Sequence, residues 1–263
     1  MSYVKSRREV DEIEALFKAP RFLYEGLRVV FRSTADFVRE VLPPGLEPAD
    51  EPLGYVSIGR WQSAVCGEFD TGSVFLKARH EGLDGWYNLT MIVSGEMPVV
   101  WGREVWGEVK KHGRAAVHKD GDRYYAYAER NGVRLMEIDA TLADRRTGVV
   151  DTSVALEIKA YPAASGAGLE HDPLLVKLEC KASFNEVVGG TGTLTLRSSE
   201  TDPVGTIPVA GIESVSFAEG ETAYRLLGVQ KLCGKEEYTP YFYGRHYDDF
   251  MKFPIAARYR ARN

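Results

Sequence analysis

The chain has 263 residues, 44% of them hydrophobic and 27% charged, which is enough to bury a full core and too apolar for a disordered segment. A formal net charge of -5 gives no general attraction to nucleic acid or to an anionic membrane surface, so small molecules or further copies of the chain are the expected partners. Cys66, Cys180 and Cys233 form neither a disulfide framework nor a zinc spacing, no apolar run is long enough to span a membrane, and Met1 to Glu14 lacks the apolar stretch of a secretory signal; a cytoplasmic protein is expected.

Val10, Ile13, Leu16 and Phe17 recur at helical spacing before Pro20, which predicts an N-terminal helical arm within residues 1–20, packed on the body of the protein or on a neighbour. Leu27 to Phe31 reads as a strand, and Ser33-Thr34 can cap a short helix carrying Phe37, Val38, Val41 and Leu42 up to Pro43-Pro44. Strand patterns then dominate: Tyr55 to Trp61, Val74 to His80, Trp86 to Val93, Arg123 to Glu129 and Val133 to Leu142. Gly82-Leu83-Asp84-Gly85, Asp120-Gly121-Asp122 and Asn131-Gly132 are the turns between them. Val154 to Tyr161, Leu174 to Val188, Gly192 to Arg197 and Thr222 to Leu232 continue the theme. Gly189-Gly190-Thr191-Gly192 lacks the spacing of a phosphate loop and leads into a strand, so a hairpin turn is expected there. Ala163 to Asp172 and Ser198 to Pro208 read as surface loops inside a single domain covering residues 1–263. The fold class is mainly β (α+β) with a few short helices, its antiparallel hairpins closing into a barrel or packing as two sheets so that edges are covered.

The five histidines, His80, His112, His118, His171 and His246, show no metal-ligand spacing, and no Gly-x-Ser-x-Gly elbow occurs; neither a metal nor a cofactor is expected. The segment Glu96 to Lys111 is different, because Val99, Val100, Trp101, Val105 and Trp106 surround Arg103, Glu104 and the pair Lys110-Lys111. Read from its residues alone, it also fits a short amphipathic helix with both lysines in solvent.

Gly102-Arg103-Glu104 followed by Lys110-Lys111 resembles the catalytic region of the acetoacetate decarboxylase family. The likeness extends in register through Val30-Phe31-Arg32-Ser33-Thr34, Val41-Leu42-Pro43-Pro44-Gly45-Leu46-Glu47, Glu51-Pro52-Leu53 and Gly95-Glu96-Met97-Pro98, and covers residues 20–135. It implies a closed cone- or barrel-like cavity, a homo-oligomer, and a cofactor-free enzyme acting on a keto acid, with Lys110 as its Schiff-base-forming lysine. Only a neutral amine attacks a carbonyl. Burial among apolar side chains and the adjacent cation of Lys111 would both act against the ammonium form.

Departures from the family pattern bear on the reaction. Counted without gaps from Arg32, the family's early arginine falls on Tyr24, with Arg21 three residues away; its first glutamate falls on Ser57 and its second on Glu68. Glu108 stands two residues before Lys110, where the decarboxylases carry an aromatic or apolar residue. Loss of the arginine and of one carboxylate weakens the case for simple acetoacetate decarboxylation and leaves Glu68, joined by Glu108, to carry protons. The pattern leans towards members that condense a 2-keto acid such as pyruvate with an aldehyde and dehydrate the product. A 3-keto-acid decarboxylase with Arg21 as substitute cation and a non-catalytic β-cavity binding protein are the competing expectations. Tyr241 and Tyr243 share a face if their segment is extended, where their phenols would reach a substrate carboxylate or a leaving hydroxyl; barrel core or subunit interface is the other reading of that aromatic cluster.

Overall fold

A computed structural model describes residues 3–248. Helix α1 (Arg7–Lys18) is followed by β1 (Arg21–Arg32), α2 (Ala35–Val41), β2 (Glu47–Pro48), β3 (Leu53–Ser63), β4 (Gly67–His80) and β5 (Leu83–Val93). Then come α3 (Glu96–Trp101), a π-helical turn over Gly102–Trp106, β6 (Lys110–His112), β7 (Arg114–Asp120), β8 (Arg123–Arg130), β9 (Val133–Lys159), β10 (Leu174–Leu196), β11 (Gly211–Lys231) and α4 (Lys235–His246).

Local chemistry accounts for most of these boundaries. Ser6 and Glu9 form a capping box at the start of α1. The Thr34 hydroxyl accepts the Phe37 N–H and starts α2. Asn131 and Gly132 both adopt positive φ, 52° and 79°, as a tight hairpin turn between β8 and β9 requires. On α1, Phe17 meets Trp101 edge-on at 5.7 Å, whereas Ile13 and Leu16 remain exposed.

Three expectations are corrected. Two pairs of segments read as separate strands each merge into one: Val133 to Leu142 with Val154 to Tyr161 in β9, of 27 residues, and Leu174 to Val188 with Gly192 to Arg197 in β10, of 23, because an almost continuous antiparallel ladder carries both through the polar stretch Asp144–Thr147. Gly189-Gly190-Thr191-Gly192 is therefore not a hairpin turn but the middle of β10, with a register shift at Gly189/Gly190. A Cβ at Gly190 would lie 2.2 Å from the Thr141 carbonyl oxygen, so the glycine there allows close approach to β9. Finally, Tyr238 to His246 is helical, not extended; Tyr238 and Phe242, one turn apart, are the residues it buries in the core.

The strands form one sheet that curls on itself. Its order runs β6-β5-β4-β3-β1-β11-β10-β9-β8-β7, and a short parallel pairing of β5 with β9, Trp86 to Ala155 and Tyr87 to Leu156, closes a ring. Strand alternation gives the ring two different faces. On β4, Phe69, Thr71, Ser73 and Phe75 line the interior cavity, while Val74 and Leu76 point outward into the main hydrophobic core. That core lies between the ring and an outer layer made by β7, β8 and the first half of β9, with Ala126, Ala128, Leu135, Met136 and Ile138 as its other wall. The layers touch closely at Gly72, where a Cβ would lie 2.2 Å from that of Ala128.

Candidate active site

The interior of the ring is a cavity of about 470 Å³. Its walls are rich in aromatic rings, among them Phe22, Trp61, Phe69, Trp86, Trp101 and Trp106, and its charged side chains include Arg28, Glu108, Lys110 and Glu157.

The path of the chain into β6 brings Lys110 there. The π-helical turn ends at Gly107, whose φ of +83° is left-handed, and the N–H groups of Gly107 and Glu108 both donate to the Gly102 carbonyl. The chain then enters β6, paired in parallel with β5 so that Lys110 faces Met91 in register. Alternation directs Glu108 and Lys110 to the cavity, with Lys110 only 5% exposed. The Lys110 Nζ lies 2.7 Å from Glu108 Oε2, but off the line a hydrogen bond needs, so this oxygen is ion-paired and has no hydrogen-bond donor. Gly102 makes room for the pair: a Cβ there would be 2.4 Å from Glu108 Oε2 and 2.7 Å from Lys110 Nζ. The Cys66 thiol, a nearby alternative nucleophile, is pushed up to about 11 by burial, only partly offset by the charge of Lys110, and stays protonated at neutral pH.

Lys111, the next residue, faces the opposite way. Its ammonium donates to Asp202 at 3.0 Å and Asp248 at 3.2 Å, and Arg130 donates to the same two carboxylates at 2.7 and 2.6 Å. Burial opposes ionisation of both aspartates. Hydrogen bonds from Thr201 and Arg130 to Asp202, and from Arg130 to Asp248, outweigh it and hold both carboxyls below the ordinary range. The repulsion of Lys110 by Lys111 expected from their adjacency is thus cancelled by two aspartates, one of them from the loop at 198–208 that read as mere surface.

The other sequence-derived candidates divide by strand phase. Tyr24 and Ser57 both line the cavity and hydrogen-bond to each other at 2.9 Å. Burial raises the Tyr24 phenol above its usual value, so it remains a neutral hydroxyl. Glu68 is excluded from this group. It sits on the outer face beside Gln62, which donates to it at 2.8 Å, because the residue that faces inward at this end of β4 is Phe69. Arg21 is also outside, exposed and bound to Glu221 across the β1–β11 ladder. Both line an outer groove that shares only Phe22 with the cavity. Tyr241 and Tyr243 lie on α4 against the apolar cluster that holds Tyr238, Phe242, Tyr87 and Leu156, away from the cavity lining.

Two cavity residues escaped the sequence reading. Arg28, on the same face of β1 as Tyr24, stacks its guanidinium 4.7 Å above the Tyr55 ring and makes no ion pair among the described residues. Its signal was a cation in phase with the inward residues of a strand. Glu157 projects from β9 and is also in the lining. Among the described residues no cluster of three or more His, Cys, Asp or Glu side chains is arranged to hold a metal ion, and no helix is long and apolar enough to cross a membrane.

A closed β ring around a lysine buried against a carboxylate defines the class: a cavity protein with an amine positioned beside a proton acceptor. The chain belongs to the acetoacetate decarboxylase family, whose sequence profile, Acetoacetate decarboxylase (ADC), matches residues 9–230. It is 27% identical over 111 residues to an acetoacetate decarboxylase of Burkholderia cenocepacia, a match covering 42% of this chain and 45% of that protein, so the alignment spans about half the length of the curated relatives. In fold it is similar to the crystal structure of an acetoacetate decarboxylase from Legionella pneumophila, with a TM-score of 0.71, 17% identity, and coverage of 81% of this chain and 88% of that one. It is similar too to the enduracididine biosynthesis enzyme MppR complexed with the condensation product of pyruvate and imidazole 4-carboxaldehyde, with a TM-score of 0.70, 21% identity, and coverage of 81% and 89%.

Proposed function

We propose that this protein is a lyase that forms a Schiff base between Lys110 and a keto acid, and that it condenses pyruvate or a related 2-keto acid with an aldehyde and dehydrates the adduct. The observation that carries the reading is the 2.7 Å contact between Lys110 Nζ and Glu108 inside an aromatic-walled cavity. Glu108 takes the proton of the ammonium, the freed amine attacks the carbonyl, and the same proton leaves with the carbinolamine hydroxyl as the iminium forms. The iminium draws electrons from the adjacent carbon, which loses a proton and attacks the aldehyde as an enamine. Arg28 offers a guanidinium for the carboxylate of the bound acid, while Tyr24 and Ser57 offer neutral hydroxyls. A cavity of about 470 Å³ lies within the range of sites that enclose drug-sized ligands, which leaves room for a second reactant beside a three-carbon acid. The capture of a pyruvate condensation product by MppR, a protein of the same fold, supports this choice.

A second reading, decarboxylation of acetoacetate or another 3-keto acid, draws support from the family and the names of the curated relatives. It uses the same iminium as electron sink for the bond to the departing carboxylate. Borohydride reduction in the presence of pyruvate or acetoacetate, followed by peptide mass spectrometry, tests the shared step; no adduct on Lys110 with any of a panel of keto acids would point to a non-catalytic cavity. Carbon dioxide release from acetoacetate without condensation of pyruvate and aldehydes would select the second reading.

A further inference from the structure

Glu157 has no part in the chemistry assigned above, yet its setting is unusual. It is 4% exposed, lines the cavity, and forms no ion pair among the described residues; its one side-chain hydrogen bond is a long one, 3.4 Å from Asn88 Nδ2. A buried carboxyl without a cationic partner is costly to ionise and, if only structural, would be served as well by an amide. The ionisable groups that face it are Glu108 and Lys110 from the chain entering β6, Arg245 and Tyr238 from α4, Tyr87 from β5 and Tyr55 from β3. Burial, joined by the negative charge of Glu108, pushes its carboxyl up to about 8. The three tyrosines are pushed up by burial and stay neutral across this range. Two carboxyls therefore share the space around one lysine in unlike settings: Glu108 lies against the Lys110 Nζ, whereas burial favours the protonated form of Glu157.

We propose that Glu157 is the general acid of the dehydration step, delivering its proton to the hydroxyl that leaves the aldol adduct on Lys110. The proposal rests on the Schiff-base reading. In the step, the C–H bond next to the iminium carbon breaks and its proton passes to the Glu108 carboxylate. The electron pair, held first as enamine, forms the new carbon–carbon double bond as the C–O bond breaks, and the hydroxyl departs with the Glu157 proton as water. Glu108 ends protonated and Glu157 ionised, and exchange with water resets both; nothing is oxidised or reduced.

The test compares wild type with Glu157→Gln, which keeps the shape and the hydrogen bond to Asn88 but cannot give up a proton. With pyruvate alone, borohydride is expected to label Lys110 in both proteins. With pyruvate and a panel of aldehydes including imidazole 4-carboxaldehyde, the variant is expected to accumulate the adduct heavier than product by one water, with dehydration slowed about 100-fold. In the wild type, dehydration is expected to slow as pH rises through about 8, and this limb to vanish in the variant. Dehydration at the wild-type rate with an unchanged pH limb would overturn the proposal. So would loss of labelling in the variant alone, or keto-acid labelling of the wild type without condensation of any aldehyde. Absence of any adduct in the wild type would instead remove the Schiff-base reading itself.

Discussion

Lys110 and Lys111 are neighbours in sequence and opposites in surroundings. Lys111 belongs to a compensated cluster of two cations and two carboxylates whose hydrogen bonds account for most of the donors and acceptors present. Lys110 meets one carboxylate that it does not hydrogen-bond, faces a second that is not ionised at neutral pH, and opens on a cavity. The lesson is that a strand separates by alternation what sequence places together: one lysine holds the loop at 198–208 and Asp248 onto the sheet, and the other is left available for reaction.

The contrast predicts different consequences for loss of each. Lys110→Ala is expected to abolish borohydride labelling and lower turnover by about 10⁴-fold or more, and to cost stability as well, because Glu108 is left buried without its cation. Lys111→Met should leave the labelling intact. It leaves two buried aspartates to share Arg130, and is expected to cost about 3 kcal/mol of stability in urea titration while keto acid still labels Lys110. Because both aspartates ionise more readily when folded than unfolded, the wild-type cluster contributes stability that is present above the ordinary carboxylate range and lost as pH falls through the lower folded values; thermal melts below about pH 4 should show the decline.

Gly102→Ala sharpens the comparison on the Lys110 side alone. The new methyl pushes on the free ends of Glu108 and Lys110 and on the Lys110 Cδ, so the expected result is a loss of about 100-fold in kcat with stability nearly unchanged. The smallest effects are expected outside the ring. Glu68→Gln and Arg21→Ala alter exposed side chains in a groove beyond Phe22, and steady-state kinetics should change less than about twofold. A large effect of either would restore it to the site.

Much of this was legible because it is local. The Thr34 cap, the Asn131-Gly132 turn, the alternation of the first-half strands and the motif ending in Lys110 are all written in short windows of residues. Glu68 was misplaced because counting along the chain cannot give strand phase: at the start of β4, one position decides between cavity and solvent. Glu157 was missed for the complementary reason. Within Val154 to Tyr161 it reads as a polar residue of a half-exposed strand, and its value depends on Glu108 and Asn88, far away in sequence.

By itself, then, the sequence determined a mainly β chain of this family with a lysine singled out by its motif, since turn preferences, caps and apolar periodicity act over a few residues. Only the tertiary structure decided which carboxyls meet that lysine. The pairing of β5 with β9 closes the ring, brings Glu157 into the cavity with Glu108, and creates the burial that keeps one carboxyl protonated beside another held against a cation.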